Sequence, residues 1–62
     1  MQNLMVKTGS RWKNLSDGNI VTATHLMDTG LICIAYIEGG RIVLGSIARD
    51  MLYENYEDIS ER

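Results

Sequence analysis

Leu31-Ile32-Cys33-Ile34-Ala35-Tyr36-Ile37, followed by Glu38-Gly39-Gly40 and Arg41-Ile42-Val43-Leu44, sets the fold of this chain. A short apolar run bounded by turn residues reads as a central strand, buried on both faces or lining a closed barrel. Glu38-Gly39-Gly40 turns the chain, and Arg41 to Leu44 returns as another strand. Asp28-Thr29-Gly30 is the turn before the run. Upstream of it, Asn19 to Met27 carries Ile20, Val21, Thr22 and Thr24, β-branched residues suited to a pleated surface. Further back, Arg11-Trp12-Lys13-Asn14-Leu15 alternates polar and apolar, as a half-buried strand does. Ser16-Asp17-Gly18-Asn19 is a tight-hairpin signal, with glycine supplying a positive φ. Turns recur about every ten residues, the rhythm of a β-meander.

The segment from Ser46 to Arg62 admits two readings. On a helix, Ile47, Ala48, Met51, Leu52, Tyr56 and Ile59 share one side, and Asp50, Glu54, Glu57, Asp58 and Glu61 the other. Ser46 is placed to cap such a helix. The alternative is a helical turn near residues 47–52 and a short closing strand near 53–59.

Sixty-two residues make one domain, 1–62, with residues 1–8 a loose arm and 60–62 a tail. A domain this small buries about 60% of the surface its unfolded chain exposes, and a stability of roughly 3–5 kcal/mol is ordinary. One cysteine, Cys33, permits no internal disulfide, and one histidine, His25, leaves a Cys/His metal site short of ligands. No cofactor or metal is expected. No apolar segment is long enough to span a membrane, and Met1 to Lys7 lacks the layout of a secretory signal. A cytoplasmic protein of a bacterium or its phage is expected. The net charge of -2 is unevenly spread, with Lys7, Arg11 and Lys13 early and the carboxylates late. That balance weighs against a dedicated nucleic-acid binder.

Several features resemble small SH3-like β-barrels of bacteria and phages: Gly9-x-x-Trp12, Asp17-Gly18-Asn19-Ile20-Val21, the strand ending Ala35-Tyr36-Ile37, the Gly39-Gly40-Arg41 turn and the closing Met51-Leu52-Tyr53-Glu54-Asn55-Tyr56. The resemblance spans residues 7–59. It implies a mainly β barrel of about five antiparallel strands with a helical turn or short C-terminal helix. It implies little about function, because such barrels bind proteins, RNA and DNA alike.

His25 has no nucleophile or acid set beside it by a recognisable motif, and its strand period places it with Val21, Ala23 and Met27 as a partly buried structural residue. Cys33, between two isoleucines, reads as a small hydrophobe. The hairpin glycines lack a phosphate-cradling pattern. No catalytic set assembles, so the chain reads as a non-catalytic interaction module, an accessory protein that binds and modulates a host protein. Its protein-binding candidates are Tyr36, Tyr53 and Tyr56 with Asp50, Glu54 and Glu57. One alternative is a nucleic-acid-binding barrel using Arg11, Trp12 and Lys13, with the indole stacking on a base. There the competing role of Trp12 is as the main core residue of a chain without phenylalanine. A second alternative is a structural homo-oligomer joined through strand edges, suggested by the apolar run 31–37.

Overall fold

A computed structural model describes residues 6–60 of the chain. They form β1 (Arg11–Asn14), β2 (Ile20–Leu26), β3 (Leu31–Glu38), β4 (Arg41–Ala48), α1 (Arg49–Asn55) and β5 (Tyr56–Asp58). The five strands make one open antiparallel sheet in the order β4-β3-β2-β1-β5, so the expected mainly β architecture is present. The meander accounts for four of them. β5 then returns past the helix to pair with β1, Trp12 opposite Asp58 and Asn14 opposite Tyr56.

β3 and β4 pair without a break from Leu31↔Ala48 to Glu38↔Arg41. Gly39 and Gly40 join them at φ of 60° and 77°. Two successive positive φ values make the primed turn whose twist matches the strands it connects. The first hairpin is looser than its Asp-Gly signal suggests. Asn14 Oδ1 accepts from the backbone N–H of Ser16 and of Asp17, and Asp17 Oδ1 accepts from that of Asn19. These side-chain turns brace a loop over residues 15–19.

Strand alternation puts Trp12, Val21, Ala23, Ile32 and Ile34 on one face, where all are buried. Leu52 of α1, fully buried, and Val6 cover them. Val6 thus belongs to the core rather than to a loose arm, while Met1 to Met5 lie outside the described residues. Ser60 is likewise engaged: its hydroxyl oxygen accepts from the Arg11 N–H at 2.7 Å. Glu61 and Arg62 lie outside the described residues.

The C-terminal segment follows the short-helix alternative. Ser46 is a β4 residue and caps nothing; the N-cap is Ala48, with no side-chain bond. The Arg49 N–H instead donates to the Gly30 carbonyl at 3.0 Å, so a loop supplies what a capping side chain would. Asn55 ends the helix and Tyr56 is extended. The acidic stripe predicted for one long helix is therefore divided, with Asp50 and Glu54 on α1 and Glu57 and Asp58 on β5.

Leu52→Ala empties the centre of the core and is expected to cost about 2–5 kcal/mol. That is comparable to the stability of a domain this size, so urea titration followed by circular dichroism should show its cooperative transition shifted to low urea or lost.

Candidate interaction surface

Trp12 anchors the buried face. It is 6% exposed, and its ring centroid lies 5.9 Å from that of Tyr53, tilted by 44°. The indole N–H donates to Ser10 Oγ at 2.9 Å, and the Ser10 hydroxyl donates to the Lys7 carbonyl at 2.6 Å. Buried tryptophan needs a partner for its N–H, and buried Ser10 provides it. The indole is thus unavailable for stacking on a base. Arg11 and Lys13 are exposed on the opposite face, since neighbours along a strand point to opposite sides. Lys13 stands directly across from Glu57, so a cation of the expected patch is set against an anion. The combined Arg11–Trp12–Lys13 platform is not one surface.

Tyr36, Tyr53 and Tyr56 are half-buried and pack against the core cluster. The Tyr53 hydroxyl is buried and has no hydrogen-bond partner among the described residues. Asp50 and Glu54 are exposed on α1, whereas Glu57 is half-buried and Asp58 accepts from the Ser60 N–H at 2.9 Å. The tyrosines therefore serve mainly as packing.

His25 departs from its expected face. A bulge between Ala23 and His25 shifts the register, so that His25 pairs with Cys33 and is exposed. Strand periodicity alone could not reveal this, because one extra residue reverses every position after it. His25 and Cys33 are thereby cross-strand neighbours on an open sheet face. No group of three His, Cys, Asp or Glu residues suited to a metal ion exists among the described residues.

The outer face of β3 and β4 carries what sequence reasoning missed. The run 31–37 reads from the sequence as a strand buried on both sides or lining a closed barrel. Ile32 and Ile34 are buried, yet Ile37 is 68% exposed, and across from it Ile42 is 72% exposed. Leu44, opposite Ala35, is 75% exposed. Ile37 and Ile42 line a shallow depression of about 170 Å³ together with Thr22, Ala35 and Tyr36. The available signal was in β4 itself: Ile42, Val43 and Leu44 are consecutive apolar residues, and successive residues of a strand face opposite sides, so they cannot all turn to one core. No family model, curated protein or solved structure matches this chain.

Trp12 is the chain's sole tryptophan, so its fluorescence reports this geometry directly. Emission is expected to be blue-shifted and weakly quenched by acrylamide. It should remain unchanged on adding single-stranded DNA or RNA at low salt; quenching by an oligonucleotide would contradict the buried placement.

Proposed function

We propose that this chain is a non-catalytic protein-interaction module that docks a partner on the outer face of β3 and β4. The observation that carries this reading is the group of exposed aliphatic side chains, Ile37, Ile42 and Leu44, on neighbouring strands. Aliphatic side chains grouped on a surface lower the free energy when a partner covers them, and such patches mark interaction sites. The adjoining depression offers room for one apolar side chain of the partner. The architectural side of the proposal is a small SH3-like barrel. Its support is the meander of four strands, the short helix and the return of β5 to β1. The biological setting proposed is an accessory protein of a bacterium or phage acting on a host protein in the cytoplasm.

Ile37→Asp introduces a charge into the patch at a position already open to water. It is expected to leave thermal unfolding nearly unchanged and to reduce capture of the partner from nuclease-treated bacterial lysate by at least about tenfold, the equivalent of roughly 1.4 kcal/mol. Capture that survives Ile37→Asp but disappears with nuclease would replace this reading with nucleic-acid binding.

A further inference from the structure

We infer that the edge of β4, unpaired among the described residues, pairs with the same edge of a second copy of this chain, antiparallel about a two-fold axis at Gly45. This goes beyond the docking face, because it uses the backbone of an edge strand rather than the outer surface of the sheet. The two edges of the sheet differ sharply. β5 is three residues long and includes Glu57 and Asp58. β4 is eight residues long and, from Ile42 to Ala48, has no charged side chain. Its pairing with β3 has no register shift, and the chain contains no proline. Short length, charge, bulges and proline are the devices that keep edges from pairing. β5 has two of them, and β4 beyond its first residue, Arg41, has none.

The hydrogen-bond phase identifies the groups available. In a two-residue hairpin the closing pair, Glu38 and Arg41, exchanges bonds, and bonded and non-bonded pairs then alternate. The bond from the Arg49 N–H to the Gly30 carbonyl keeps the same phase at the far end. Arg41, Val43, Gly45 and Ile47 therefore bond inward to β3. Ile42, Leu44, Ser46 and Ala48 point their N–H and C=O groups away from the sheet.

Only one register uses all of these groups in both copies. Centred on Gly45, it sets Ile42 against the partner copy's Ala48 and Leu44 against its Ser46, for about eight interchain bonds. Sliding by one step loses two of them. On the core-side face the same register sets Val43 against the second copy's Ile47, both half-buried. At each end the register brings Arg41 opposite the second copy's Arg49, a like-charge approach at an exposed corner where Glu38, paired with Arg41, and Asp50 supply the opposite sign.

Gly45 supplies independent support. The other described glycines all have positive φ, and Gly45 does not. A Cβ built there would meet Ile34 Cγ1 and Tyr36 Cε1 at 3.8 Å, ordinary contact. Neither a positive φ nor the contacts at the Cβ position call for glycine here, and glycine weakens a strand interior. On the two-fold axis it faces its own copy in the narrow, non-bonded pairing, where the Cα atoms are about 4.5 Å apart. Glycine in a strand interior often marks such a close approach of another backbone.

Sedimentation equilibrium on the full chain, with amide hydrogen exchange, tests the pairing. The expected mass at high concentration is that of two chains, with the Leu44 and Ser46 amides protected and their protection falling on dilution. Leu44→Pro removes an outward N–H and no bond to β3, so it should give the mass of one chain with its fold intact by circular dichroism. Leu44→Lys, which keeps the N–H but places charge on the edge, should raise the dissociation constant at least about tenfold. Ile37→Asp lies on interior strand β3 and should leave the dimer mass unchanged, which separates this inference from the docking face. Gly45→Cys in a Cys33→Ser background should cross-link to its own copy under mild oxidation. A wild-type monomer at every concentration, an assembly larger than two, a dimer with unprotected Leu44 and Ser46 amides, or a dimer lost in Ile37→Asp would overturn the inference.

Discussion

The pairing of β1 on both of its sides is the constraint on which the structure depends. β1 has four residues, yet it bonds to β2 along one side and to β5 along the other. A strand so short contributes little backbone bonding of its own. Its position is held by Trp12, which fills the buried face and ties its indole N–H to Ser10. That bond runs through the Ser10 hydroxyl to the Lys7 carbonyl, so the chain entering β1 is fixed by the same group that satisfies the tryptophan. Leu52 and Tyr53 then come from α1 to the other side of the cluster. Secondary structure that looks independent along the chain is thus tied together by one aromatic side chain and one serine.

Much of this was legible in the residues. The apolar run, the Gly39-Gly40 turn and the alternation around Trp12 mark β3, its hairpin and β1 because period and turn chemistry are local properties. The placement of Trp12 in the core was among the two roles open to it. The helix was harder to delimit, because its apolar period continues through Tyr56 and Ile59 even though the backbone becomes extended after Asn55. Pairing with β1 decides that boundary, and such pairing is tertiary. His25 was misplaced for a related reason: the bulge after Ala23 responds to the β3 partner and leaves no mark in composition.

The candidate surface was less legible than the fold. Aromatic and charged residues attract attention as binding groups, yet the tyrosines are half-buried and Trp12 is core. The exposed residues are plain aliphatics, Ile37, Ile42 and Leu44, which composition assigns to the interior. A 62-residue chain has too small an interior for every aliphatic side chain its strands carry. Once one face of β3 and β4 turns toward the core, Ile37, Ile42 and Leu44 on the other face are left largely exposed to water. The excess is visible only after the sheet's two faces are distinguished.

The return of β5 also has a consequence for the order of folding. Asp58 pairs with Trp12, which lies far from it along the chain. β1 therefore has an open side until β5 arrives. The hairpins of the meander are local and form first, whereas this closure joins distant positions and carries the larger loop-closure cost. An intermediate holding only the meander presents β1 as an unpaired edge, so the docking of β5 is the step that withdraws this strand from aberrant pairing with other chains.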